Sequence, residues 1–196
     1  IDEILLTREQ TDPREPDLPQ SNEVKFDHVT FTYPTGEGPA ISDVSFCAKS
    51  GTVTALVGHP GSGKRTIGAL IPRFYDIQKG SISIGGVELS SMNRKELMER
   101  VAFVFQNPKL LKTTIEDNVR GGKKNATSEE ILRALHLAGC DDILQKFPDG
   151  IHTVIGGIGI YLSGGEIQRL AIARAIVKDA PIIVLGEATA FADPEN

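Results

Sequence analysis

From Val24 onward apolar and polar positions alternate, V-K-F-D-H-V-T-F-T-Y, before a P-T-G-E-G stretch. A period of two predicts a strand, and the Pro/Gly cluster a turn after it. I-S-D-V-S-F (41–46) and T-V-T-A-L-V-G (52–58) predict two more strands. In K-R-T-I-G-A-L-I-P-R-F (64–74), Ile67, Leu70 and Ile71 share one helical face, and Pro72 blurs the helix end. S-I-S-I-G-G reads as a short strand and turn, R-K-E-L-M-E-R as a helix, and V-A-F-V-F-Q as a buried strand. Thr127 and Glu130 have the spacing of a capping box and start a helix over 127–138. Ser163 and Glu166 repeat that spacing, and Ile167, Leu170, Ala171 and Ile176 then form one apolar face. A-P-I-I-V-L-G (180–186) is a continuous apolar run, the sign of a strand buried on both sides. Strands alternating with helices predict an α/β fold with a mostly parallel sheet.

The first 22 residues differ. They are polar and carry Pro13, Pro16 and Pro19, which rules out a continuous helix and predicts a linker over 1–22. The remaining 23–196 is long enough for one sizeable core. Hydrophobic content of 40% and charged content of 24% are those of an ordinary globular chain. A net charge of −5 argues against a general nucleic-acid partner but leaves room for one local phosphate site. Cys47 and Cys140 have no paired spacing and read as two buried or half-buried thiols of a reducing compartment. No run approaches the roughly 18 apolar residues that cross a bilayer. The chain opens on Ile1, which reads as a piece of something longer.

One such phosphate site is legible. G-H-P-G-S-G-K-R-T (Gly58, His59, Pro60, Gly61, Ser62, Gly63, Lys64, Arg65, Thr66) follows an apolar run and precedes a helix. That is the context a phosphate loop needs. Its glycines let the backbone turn tightly and aim N–H groups inward, the helix adds its positive end, and Lys64 adds a full charge. A Gly-rich turn without a ligand has the same outline. The motif asks for Ser or Thr after the lysine, to hold Mg²⁺, and here Arg65 stands there. A guanidinium has no acceptor and repels a cation. Thr66 offers a hydroxyl one residue late.

L-S-G-G-E-I-Q-R-L-A-I-A-R-A (162–175) lies after this loop and just before P-I-I-V-L-G-E-A-T-A-F-A-D. In that order the motifs closely resemble the ABC transporter ATPases, in particular the ATP-binding domains of exporters, from about Val24 to Asn196. The resemblance implies a P-loop ATPase core, an N-terminal antiparallel β subdomain, and a helical subdomain over about 107–175 that carries the signature Leu162, Ser163, Gly164, Gly165 and Glu166. It implies ATP with Mg²⁺ as cofactors and ATP hydrolysis that drives transmembrane transport. It implies a second ABC domain, identical or not, and an exporter's transmembrane domain as partners, at the cytoplasmic face of a membrane. Tyr33 matches the residue that stacks on adenine, although a Tyr ending a strand also simply packs. Gln106 matches the glutamine that reaches Mg²⁺ and the attacking water, and Glu187 the general base. Asp193 matches an aspartate that crosses the dimer interface. The signature residues would close over the γ-phosphate held by a partner chain.

The pattern is also broken. Where the family has an Asp before the catalytic Glu, this chain has Gly186. With Arg65, that removes both protein anchors for the metal. Exporters carry a Glu facing the membrane domain where Gly157 stands. The family's switch histidine falls beyond Asn196, and His28, His59, His136 and His152 do not take its place. Two other readings stay open: a hydrolysis-deficient partner that completes a working site elsewhere, and a soluble ABC-type protein. N-A-T at 125–127 reads as a chance glycosylation match, and G-G-K-K as a solvated turn.

Overall fold

The computed structural model describes residues 12–13, 16–157 and 160–186. The chain divides into two compact units, Ile1–Glu99 and Arg100–Asn196.

In the first unit β1 (Val24–Phe31), β2 (Ile41–Ala48), β3 (Lys79–Ile84) and β4 (Val87–Glu88) form an antiparallel sheet in the order β2-β1-β3-β4. Apolar positions 24, 26, 29 and 31 of β1 do not keep a strict period of two. The slip is taken up by a bulge at His28, whose φ is 51° and whose N–H donates to Ser45 Oγ at 2.8 Å. One extra residue there returns Val29 and Phe31 to the face of Val24 and Phe26, and all four are buried. Helix α1 (Lys64–Leu70) buries Ile67 and Leu70. It stops before Pro72, short of the expected 74, because proline supplies no donor for a further turn. Helix α2 (Arg94–Arg100) follows the R-K-E-L-M-E-R pattern residue for residue. Asp17 N–H donates to Ser91 O and Gln20 N–H to Gly85 O, so the Pro-rich segment is tied to the sheet near its end.

Two expectations fail in this unit. T-V-T-A-L-V-G is not a strand: no described residue from Thr52 to His59 is in a ladder, and Val53 and Val57 are exposed. Apolar composition makes a segment fit for a sheet, but pairing with a neighbour makes it a strand. Cys47 is exposed, because it sits at an outward position of edge strand β2, opposite Lys25.

The second unit pairs β5 (Val101–Val104) with β6 (Ile182–Leu185) in parallel, Val101 opposite Ile182 and Val104 opposite Leu185. Its helices are α3 (Ile115–Arg120), α4 (Ser128–Leu137), α5 (Asp141–Lys146) and α6 (Gly164–Lys178). α6 joins two cores. Leu170, Ala173 and Val177 pack with Ile115, Val119, Ile131 and Leu135 of α3 and α4. Ala171 and Ala175 pack with Ala102 and Val104 of β5. The expected single apolar face is therefore two buried stripes, and Ile167 and Ile176 are only half-buried. Cys140 is buried in the helical core, where desolvation pushes its thiol up to about 12.

β6 is not buried on both sides. Ala102 and Val104 lie under α6, yet their ladder partners Ile183 and Leu185 are 48% and 52% exposed. Among the described residues α6 covers β5 and does not reach over β6. Among the described residues parallel pairing is confined to these two strands, so the expected mostly parallel sheet is not what they form.

Candidate functional site

The site residues fall into two turns and one strand end. The first turn precedes α1. Its N-cap is Gly63, at φ 82° and ψ 2°, and no side chain caps the helix. Gly61 also has positive φ, 81°. Such glycines build the concave runs of N–H groups that hold anions. A Cβ at Gly63 would lie 2.4 Å from Ile41 Cγ2 and 2.9 Å from Ala40 O, so the turn rests directly on the start of β2 and admits no side chain. Lys64 Nζ donates to Gly58 O at 2.8 Å, His59 O at 2.9 Å and Ser62 Oγ at 3.4 Å. The ammonium is thereby folded over its own loop. Arg65 stands exposed on the first turn of α1.

Thr66 faces the other way. It is 6% exposed, and its Oγ1 lies 3.1 Å from Tyr33 Oη. Tyr33 packs edgewise with Phe31, centroids 4.9 Å apart, and with Tyr75 at 5.1 Å. The structure thus brings Tyr33 and the phosphate loop together through one hydrogen bond. It also engages the Thr66 hydroxyl that stood as a late substitute for the missing one.

In the second unit Gly186 continues the parallel ladder, its N–H donating to Val104 O at 2.9 Å. A Cβ there would lie 3.2 Å from Val104 O and 3.6 Å from Gln106 N. Position 186 and Gln106 are therefore neighbours at the same strand ends, where parallel sheets place their chemistry. The neighbour carries no side chain. Glu187 and Asp193 lie outside the described residues. Among the described residues no group of three or more His, Cys, Asp or Glu side chains is arranged to hold a metal.

The third element is the turn before α6. Ser163 Oγ accepts from Glu166 N–H at 3.2 Å, and Glu166 Oε2 accepts from Ser163 N–H at 2.6 Å, a complete capping box. Ser163 and Gly164 are exposed. Lys146 at the end of α5 donates to Glu166 Oε1 at 3.1 Å and to Tyr161 O at 3.3 Å. Beside this turn an apolar groove of about 330 Å³ is lined by Pro108, Leu110, Leu111, Ile155, Tyr161 and Leu162 among others. Leu110 and Leu111 belong to a loop held from α3 and α6. Asn118 bonds both N–H and C=O of Leu111, and Arg174 donates to Asn118 O at 2.8 Å. Burial depresses the Arg174 guanidinium. Sequence reasoning missed Lys146, Asn118 and Arg174, because each acts on residues that only the fold brings near.

Comparison with known proteins agrees with these motifs. The family described as ABC transporter matches residues 41–190. An ATP-dependent lipid A-core flippase of Legionella pneumophila is 42% identical over 174 residues, covering 89% of this chain and 29% of that protein. The mycobactin import ATP-binding/permease protein IrtA of Mycobacterium tuberculosis is 47% identical over 193 residues, 98% of this chain and 22% of that protein. A bacterial Atm1-family ABC exporter solved with ATP bound superposes with a TM-score of 0.90 at 35% identity, over 99% of this chain and 34% of that one. The chain thus spans only about a fifth to a third of these relatives. Family match, relatives and fold agree: this chain belongs to the ABC transporter family, and within it to the ATP-binding domains.

Proposed function

We propose that this chain is the ATP-binding domain of an ABC exporter that holds ATP on Gly58–Thr66 and lends Leu162–Glu166 to the nucleotide of a second ABC domain. Its own hydrolysis is slow. In this reading 1–22 is a linker, the ATP-binding domain covers 23–196, and the helical part with the signature covers about 107–175. Tyr33 carries the adenine, Gln106 and Glu187 orient the attacking water, and Asp193 meets the partner. Two of the relatives are named as a flippase and an ATP-binding/permease protein, which supports a transmembrane partner domain and a place at the cytoplasmic face of a membrane. None of the described helices is long and apolar enough to cross a membrane. The apolar groove lined by Pro108, Leu110, Leu111, Ile155, Tyr161 and Leu162 is a suitable contact for such a domain.

The loop fits the triphosphate of ATP: positive-φ glycines, an uncapped helix start and one ammonium are arranged around it. Bound there, ATP supplies the phosphoryl group that is transferred to water. The residues do not fit Mg²⁺. Arg65 takes the hydroxyl's place, the Thr66 hydroxyl is buried against Tyr33, and Gly186 offers nothing beside Gln106. This paired loss at 65 and 186 is the observation that carries the slow-hydrolysis reading. Metal stabilisation of a phosphoryl transition state is worth several kcal/mol, and each ~1.4 kcal/mol is tenfold in rate.

The test is ATP binding and turnover by the full-length transporter, with and without Mg²⁺. ATP is expected to bind nearly as well without the metal. Arg65→Ser with Gly186→Asp should raise Mg²⁺-dependent turnover at this site at least tenfold. The aspartate needs Val104 O to give by a few tenths of an ångström, so the double variant's melting temperature is measured alongside. Fast Mg²⁺-dependent turnover at this chain's own site without those changes would sink the proposal.

A further inference from the structure

The turn that presents Ser163 is built from charge as well as backbone. Both oxygens of Glu166 are occupied, Oε2 by Ser163 N–H and Oε1 by Lys146 Nζ. Glu166 is 12% exposed and Lys146 47%. The Ser163 oxygen already accepts the Glu166 N–H, so its own O–H is left to donate outward. This is the polarity an arriving phosphate needs. The same turn carries a carboxylate, Glu166, three residues from Ser163, and a carboxylate repels a phosphate. Lys146 offsets that charge. Its second bond, to Tyr161 O, spans the turn from the other side, so one ammonium ties residues 161 and 166 together. Arg169 Nη2 on Asp142 Oδ2, at 2.7 Å, makes a parallel tie between α6 and α5.

We infer that Lys146 is a positioning residue of the signature turn: it clamps Tyr161 to Glu166 and cancels the carboxylate's charge where a partner chain's phosphate docks. The inference rests on the proposal that this turn completes a second domain's ATP site. Lys146 acts through Glu166 and Ser163 and need not touch the nucleotide.

The experiment uses the full-length transporter and reads the site that this turn completes. Lys146→Met should raise the ATP concentration for half-maximal turnover, and for nucleotide-driven closure followed by fluorescence transfer, about tenfold. Lys146→Arg should restore most of it, since an arginine also bonds a carboxylate and a carbonyl. In a Glu166→Gln background the same Lys146→Met change should cost less than about twofold, because no charge is left to cancel. A prop acting through Tyr161 O alone would cost the same in both backgrounds, so equal losses overturn the inference, as does wild-type behaviour of Lys146→Met. Gly164→Asp separates the two levels. If it leaves turnover and closure intact, the reading of the signature turn itself falls. If it abolishes them while Lys146→Met behaves as wild type, only the role of Lys146 falls.

Discussion

Two turns of this molecule meet the same problem in opposite ways. Each leads into a helix whose first N–H groups have no partner within the helix. Before α6, the chain satisfies them itself: Ser163 and Glu166 cap each other, and Lys146 holds Glu166. Before α1, Gly63 caps nothing with a side chain, no acidic residue sits in the first turn, and Lys64 leans back over the loop carbonyls. The first is a finished surface that displays a hydroxyl. The second, in the proposed function, is a receptor whose helix start is left open for an anion. The difference suits their proposed roles. A turn that closes on a partner's nucleotide gains from being rigid beforehand, whereas a turn that wraps its own nucleotide keeps its helix-start N–H groups for the ligand.

Breaking the receptor should have the largest effect. Lys64→Met removes the charge that the loop has gathered on Gly58, His59 and Ser62. A hydrogen bond to a charged group is worth about 1.5–3 kcal/mol. ATP binding measured by titration calorimetry should therefore weaken by roughly tenfold to a hundredfold. If ATP affinity is unchanged, this loop is not the receptor.

How far this contrast could be read from the sequence depends on how local its causes are. Both capping boxes were legible, because Thr127–Glu130 and Ser163–Glu166 declare themselves by a three-residue spacing. The glycines and Lys64 of the phosphate loop were equally local. The slip of β1 was present in the pattern 24, 26, 29, 31, but the bulge at His28 that absorbs it depends on Ser45, seventeen residues on. Lys146 could not be read at all, since its partner is twenty residues away. Thr52–Gly58 and β6 show the opposite limit. Their apolar runs are plain, yet whether such a run is paired or covered is decided by what packs beside it. Among the described residues α6 covers β5 and leaves Ile183 and Leu185 of β6 open.

A smaller effect separates capping from function. Removing an N-cap hydroxyl costs about 1 kcal/mol. Ser163→Ala and Thr127→Ala should each lower the urea unfolding free energy by about that amount, since both hydroxyls make the same bond to the N–H three residues on. Only Ser163→Ala should also weaken turnover at the partner's site, because α4 is assigned no ligand. Equal effects on turnover would mean that Ser163 matters only as a cap.

The smallest effect is on the pH axis, and it tests the same asymmetry. The Glu166 carboxyl lies below its ordinary 4.5: partial burial pushes it up, but bonds from Ser163 N–H and Lys146 outweigh that. Glu130 is held low as well, first by Lys123 and then by Thr127 N–H. A depressed carboxylate contributes its stability above the unfolded value and loses it as pH falls through the folded one. Unfolding free energy should therefore decline as pH drops below about 4.5. Glu166→Gln and Glu130→Gln should each flatten part of that decline, because the amide cannot be protonated in this range. Lys64→Met should leave its slope unchanged, since the first turn of α1 carries no carboxylate to titrate. An acid slope that ignores both glutamates, or that moves with Lys64, would erase the distinction between a turn capped by its own carboxylate and one arranged for a ligand's phosphates.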